Sequence, residues 1–244
     1  MAVQSKRQII VVDDAAALAE TAGRRLLARV KSQARAAVCL TGGSSPQQLY
    51  RLLGDEPWRK DVPWERIHWF IGDDRFVPQS DPLSNMGAVR RMLLDRVGAP
   101  RQNIHPMATD ANDPDGAARL YENDLKAFYR SDTLDPSRPL FDLVLMGVGG
   151  DGHTASLFPQ SPALGETERW VLGIAESPME PYVPRVTLTF PALASTREML
   201  FLVDNEDKRA ILARVFGGDD LPAARAYADG ELVWLVVRAA APER

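Results

Sequence analysis

The sequence predicts a three-layer α/β/α protein, Rossmann-like, with a mostly parallel sheet covered by helices on both faces. Three observations carry this. Short β-branched or apolar runs alternate with longer segments of helical periodicity along the chain. No repeat or low-complexity tract breaks that alternation. Clusters of Gly, Ser, Asp and Lys follow several apolar runs, which is where loops leave a parallel sheet.

Taken in order, RQIIVV reads as the first strand and the Ala/Leu/Arg-rich stretch 15–35 as the first helix. AVCLT comes next as strand, PQQLYRLL as helix and RIHWFI as strand. LSNMGAVRRMLLDRV is helical, its capped start sought within residues 81–93. NIHPM reads as a short strand, GAARLYENDLKAFYR as helix and FDLVLMGV as strand. RVTLTF, EMLFLVD and ELVWLVV are further strands, and KRAILARVF is the helix between the last two. The Pro- and Asp-rich pieces at 109–115 and 132–139 are too short for linkers and read as surface loops. A single domain over residues 1–244 is expected.

Composition narrows the function classes. The 244 residues carry 29 basic and 33 acidic groups, a net charge of −4, with no long run of one sign. That argues against broad binding to nucleic acid or an anionic membrane, so any anionic ligand must be held locally. Cys39 is the single cysteine, which excludes an internal disulfide and a thiolate metal cluster. Three scattered histidines without ligand spacing give no reason to expect a metal. The first twenty residues lack a long apolar segment, so a cytoplasmic protein without a membrane span is expected. A monomer or small homo-oligomer is expected.

In an open α/β sheet, ligands bind beyond the carboxyl ends of the strands. TGGSSP, GDDRFVP, GGDGHT and DNEDKR each come after an apolar run, so four strands deliver polar groups to one sheet edge. In the first, Ser45, Pro46 and Gln48 fit the N-cap, N1 and N3 positions of a helix. Gly42, Gly43 and Ser44 then form the turn that feeds it, with free N–H groups suited to a phosphate. In the second, one of Asp73 and Asp74 faces the site, with Arg75 beside it; Asn85 and Gly87 downstream are assigned supporting roles.

GVGGDGHTASLFP matches the dinucleotide pattern G-x-G-x-x-G after a strand, but its surroundings disagree. Pro159 and Pro162 stop any helix within one or two turns, and no acidic residue ends the next apolar run. No nicotinamide or other cofactor is expected. Directly after the last glycine stands His153, able to take a proton from water near neutral pH. Asp151, two residues earlier, or Asp73 would orient it. The turn at Gly149 and Gly150 supplies N–H groups for an oxyanion. Lys208 and Arg185, after EMLFLVD and at the start of RVTLTF, are the candidate phosphate cations, and position favours Lys208. His68 and His105 read as structural.

These segments, TGGSSP, WFIGDDRFVPQSDPLSNMGAVRRMLL, FDLVLMGVGGDGHTASLFP and RVTLTFPAL, closely resemble the 6-phosphogluconolactonase family, part of a superfamily that includes glucosamine-6-phosphate deaminase. The resemblance spans residues 9–237. It implies metal-free and cofactor-free hydrolysis of 6-phospho-D-glucono-1,5-lactone to 6-phosphogluconate, in the oxidative pentose phosphate pathway. Carried onto matching positions, it implies His153 as general base and Asp151 as its tuner. It also implies Gly42, Gly43 and Ser44 as the phosphate turn, Lys208 as phosphate lysine, Arg185 as a second cation, and Asp73 and Arg75 at the sugar end. Ser45 and Asp74 stand where the family commonly has threonine and glutamate. The deaminase branch carries a glutamate after its histidine, in a GHIAFNEP-like segment; HTASLFP has none. A non-catalytic sugar-phosphate sensor would usually carry a helix-turn-helix, and none is evident here.

Overall fold

The computed structural model describes residues 7–242. In chain order the strands are β1 (Gln8–Val12), β2 (Ala36–Leu40), β3 (Ile67–Ile71), β4 (Asp73–Arg75), β5 (Leu143–Met146), β6 (Val171–Ile174), β7 (Arg185–Leu188), β8 (Glu198–Val203) and β9 (Glu231–Val237). Six of them pair in the order β1-β9-β8-β5-β2-β3, every pair parallel. Helices flank this sheet to give three layers. Strands β2, β5 and β8 are buried along their full length, which explains why AAVCL, LVLM and EMLFLV show no polar alternation.

The strand order has a switch point. From β2 the chain moves outward to β3 at one edge, whereas from β5 it moves to β8 on the other side, and β2 and β5 are neighbours. Their outgoing loops therefore part at one crevice, the place where such sheets bind ligands. Two phenols close the strand ends beside it. Tyr50 Oη donates to Thr41 O at 2.7 Å and accepts from Thr41 N at 3.1 Å. Tyr121 Oη does the same for Ile71, at 3.2 and 3.0 Å. Each satisfies backbone groups that the ladder no longer pairs, and burial pushes both phenols up in pKa.

RVTLTF does not join the parallel sheet. Its β7 pairs antiparallel with β4 and β6 in a second, three-stranded sheet. NIHPM is not a strand: Ile104 makes a lone bridge to Trp69, and Pro106 has no N–H with which to extend a ladder. The first helix is Ala15–Val30, capped by Asp14, and stops short of residue 35. The helix after TGGSSP starts at Gln47, one residue later than the capping pattern predicts, because Ser45 Oγ donates to Asp204 Oδ1 at 2.6 Å and does not cap. Within 81–93, Ser84 is the cap, accepting from Gly87 N, and the helix from Asn85 passes through a π turn at Arg90–Leu94.

At the opposite end of the strands, Glu198 and Glu231 lie side by side on β8 and β9. Arg25 and Arg29 of the first helix bridge both: Arg29 reaches Glu198 and Glu231 at 2.6 Å each, and Arg25 reaches Glu231 at 2.9 Å and also Glu198. Glu198 is buried, so losing its charge strands two cations against the sheet. Glu198→Ala is expected to cost about 2–3 kcal/mol, somewhat below a fully buried pair because the arginines reach solvent. Thermal unfolding should fall by roughly 5–10 °C.

Candidate active site

The crevice holds one cavity of about 300 Å³, at the small end for ligand sites. Of the residues expected from sequence, Gly42, Gly43, Ser44, Asp73, Arg75, Gly149, Gly150, His153, Arg185 and Lys208 all line it. Asp151 stands behind the histidine. The loops after β2 and β5, the antiparallel strands β4 and β7, and the turn after β8 thus meet at a single wall.

The histidine loop is built around a glycine. Gly149 N donates to His153 O at 2.8 Å and Gly152 N to Gly149 O at 3.0 Å, closing residues 149–153 into a tight turn. The imidazole folds back over Gly149, where a Cβ would sit 2.1 Å from its Cε1 and Nδ1. Asp151 Oδ1 lies 2.5 Å from His153 Nδ1 and accepts from His153 N at 3.1 Å. Asp151, not Asp73, is therefore the carboxylate on the ring. Burial raises the Asp151 pKa, yet the hydrogen bonds from His153 outweigh it and hold the group below its ordinary value. An anionic Asp151 keeps the proton of the neutral ring on Nδ1 and leaves Nε2 as a base.

One expectation narrows. The Gly149 N–H serves its own loop and cannot meet an oxyanion, whereas Gly150 N has no acceptor among the described residues. Nor does the loop enter a helix: residues 150–152 are turn and bend, and Thr154 and Leu157 form a bridge. The helix N-terminus that a dinucleotide phosphate needs is therefore missing after this glycine run. Phe158 packs on the imidazole with centroids 5.1 Å apart. In the GHIAFNEP pattern the acid stands five residues after the histidine, the place of Phe158 here.

Across the cavity, the Gly42–Ser45 turn leaves its N–H groups without acceptors among the described residues. Gly43 has φ 86°, a left-handed conformation that costs glycine little. Lys208, at the end of the 3₁₀ turn Glu206–Lys208, makes no ion pair among the described residues. Asp73 is buried; its Oδ2 accepts from Ser156 Oγ at 2.7 Å and its backbone O from Asn85 Nδ2 at 3.0 Å. Arg75 donates from Nη1 to Leu83 O at 2.6 Å, while its buried Nε has no partner among the described residues. Arg185, 5% exposed, donates to Val183 O, Pro181 O and Ser177 Oγ.

Sequence reasoning missed Ser156, Phe158, Met179 and Glu180, and gave Asn85 only a supporting role, although it lines the cavity. A loop hydroxyl bound to a carboxylate 83 residues away leaves no local signal. His68 and His105 stand apart, as expected. His68 Nδ1 meets His105 Nε2 at 2.9 Å, His105 Nδ1 meets Asp124 at 2.7 Å, and burial first, then His105, pulls His68 down to about 4.

Fold and cavity together define a class: a three-layer α/β/α protein with a glycine turn of unpaired N–H groups (among the described residues) and an Asp-held histidine facing one pocket at a parallel sheet's switch point. The chain belongs to the family described as glucosamine-6-phosphate isomerases/6-phosphogluconolactonase, which it matches over residues 13–234. It is 38% identical over 244 residues to a 6-phosphogluconolactonase of Mycobacterium tuberculosis, covering 96% of each chain. It is also 38% identical over 217 residues to one of Synechocystis sp., covering 87% of this chain and 86% of that one. The solved 6-phosphogluconolactonase of Thermotoga maritima superposes with a TM-score of 0.82 at 29% identity, over 96% of this chain and 100% of that one. A monomeric glucosamine-6-phosphate deaminase shares the fold, with a TM-score of 0.79 at 18% identity.

The glycine beneath the imidazole gives the first test of this geometry. Gly149→Ala forces the ring out of its place, so kcat/KM should fall at least ~10²-fold with little change in thermal unfolding. Asp74, beside Asp73, gives a pH effect. Burial pushes its carboxyl from 3.8 up to about 6, against the pull of the backbone N–H groups of Met86, Asn85 and Arg75. The folded chain therefore binds a proton between those values that the unfolded chain has released, and stability from this group is lost as pH rises through them. Urea unfolding of wild type and Asp74→Asn should show the wild type gaining on the variant at pH 4 relative to pH 7.

Proposed function

We propose that the chain hydrolyses 6-phospho-D-glucono-1,5-lactone to 6-phospho-D-gluconate, the second step of the oxidative pentose phosphate pathway, through His153. The observation that carries this reading is that an imidazole held by Asp151 shares one cavity with the Gly42–Ser45 turn and with Lys208, which has no ion pair among the described residues. The turn and Lys208 hold the phosphate, the first by N–H groups and the second by charge. Asp73 and Asn85 accept from or donate to sugar hydroxyls, and Arg185 adds positive charge to the wall.

His153 Nε2 takes a proton from a water molecule as the oxygen attacks C1 of the lactone. Asp151 stabilises the imidazolium that forms. Negative charge passes to the carbonyl oxygen, where Gly150 N–H and the Arg75 guanidinium meet it. Collapse of the tetrahedral intermediate breaks the bond from C1 to the ring oxygen, and the imidazolium returns the proton to that oxygen. The product acid then ionises. No ammonia is released and no hydrogen moves between carbons, which suits a cavity with Phe158 beside the imidazole. We place the reaction in the cytoplasm, with the protein a monomer or small homo-oligomer. Among the described residues no helix is long and apolar enough to cross a membrane.

Freshly generated lactone should release acid far faster with the protein than without it; an unchanged rate, or ammonia from glucosamine 6-phosphate, removes the reading. His153→Ala is expected to lower kcat by ~10²–10⁴-fold with KM little changed. Lys208→Ala should mainly raise KM, by about tenfold or more, the cost of a charge-assisted contact.

A further inference from the structure

Between β6 and β7 the chain runs irregularly through SPMEPYVP, and Met179 and Glu180 of that segment line the cavity. One side chain ties it down. Arg185 Nη2 donates to Pro181 O at 2.9 Å and to Ser177 Oγ at 3.2 Å, and Nε donates to Val183 O at 3.2 Å. Ser177 Oγ in turn donates to Met179 O at 2.8 Å and accepts from Met179 N at 3.3 Å. Phe76 N, donating to Pro184 O at 2.8 Å, fixes the far end of the segment to the second sheet.

A guanidinium has five N–H donors in a fixed plane and grips a phosphate best edge-on, through two nitrogens at once. Nη2, with two acceptors, and Nε, with one, are already committed to residues 177–183. Each edge of the fork includes Nη2, so no two-nitrogen grip is left. Nη1 alone remains, while the Gly42–Ser45 turn and Lys208 offer several uncommitted donors in the same cavity.

We propose that Arg185 is a positioning residue: it holds residues 177–183 as the cavity wall that presents Met179 and Glu180 to the sugar, and the phosphate is bound without it. The Glu180 carboxylate, acceptor-only when ionised, then recognises hydroxyls of the polyol portion of the ligand. This deepens the lactonase reading by dividing the cavity into a phosphate end and a hydroxyl-reading wall, and it rests on that reading for the identity of the sugar.

The test compares Arg185→Lys, Ser177→Ala and Lys208→Ala with the wild type, using two readouts that need no lactone turnover. One is the rate of chymotrypsin cleavage after the exposed Tyr182; the other is binding of inorganic phosphate and of 6-phosphogluconate by calorimetry. Arg185→Lys should speed cleavage at least tenfold, leave phosphate binding within about twofold, and weaken 6-phosphogluconate several-fold. Ser177→Ala, which keeps the charge, should move in the same direction by less. Lys208→Ala should weaken both ligands and leave cleavage unchanged. Loss of phosphate binding in Arg185→Lys to the extent seen in Lys208→Ala, or cleavage at the wild-type rate, overturns the proposal. Failure of the lactonase reading would show separately, as no acid release by the wild type.

Discussion

The hydrogen bond from His153 to Asp151 is the contact on which the rest of the site depends. It closes within a five-residue turn, so its geometry is set locally, yet it forms only because Gly149 has no side chain where the ring lies. Asp151 takes both the ring and the backbone N–H of His153 on one oxygen, which fixes the tautomer and the rotamer together. The strands then carry this turn to its place. Because β5 is buried on both faces and parallel to β2, its outgoing loop can only emerge beside the loop after β2.

Charge is organised on the same scale. The chain is net negative, but the cavity gathers Arg75, Arg185 and Lys208 against Asp73 and Glu180. The cations differ in their commitments. Arg75 is held through Leu83 O and Arg185 through the segment before it, while Lys208 has no ion pair among the described residues. Burial and the nearby Arg75 pull the Arg185 guanidinium below its ordinary value, with Asp73 and Asp74 opposing. Two tethered guanidiniums near two buried carboxylates make a rigid floor, and in the proposed reading the ammonium, without an ion pair among the described residues, is the group that meets an anion.

Most of the fold was legible because amphipathic helices write their period into the sequence and buried parallel strands stand out as unbroken apolar runs, as AAVCL, LVLM and ELVWLVV do. Of the small sheet only RVTLTF was legible as a strand. Asp73–Arg75 is a three-residue polar strand, and VLGI is interrupted by a glycine, so neither shows a period. The site residues that were legible are those with a motif: TGGSS, DDR, GGDGH and the lysine after β8. The partner of His153 stayed open because Asp73 and Asp151 are equally acidic on paper, and only the turn geometry separates them. The capping register failed for a related reason, since the acceptor that draws Ser45 away, Asp204, arrives from another strand.

The G-x-G-x-x-G match shows why a pattern needs its context. The crevice contains two glycine turns, and each could have been assigned a phosphate from sequence alone. The turn after β2 leaves its N–H groups without acceptors among the described residues and leads into the Gln47–Gly54 helix, so it keeps the electrostatics of an anion site. The turn after β5 folds its first free N–H back onto His153 O and continues into a bridge, so it has exchanged anion binding for the placement of an imidazole. If, as proposed, one turn holds a phosphoryl group and the other serves proton transfer, the ligand carries both a phosphate and a reactive carbon within the reach of one small cavity.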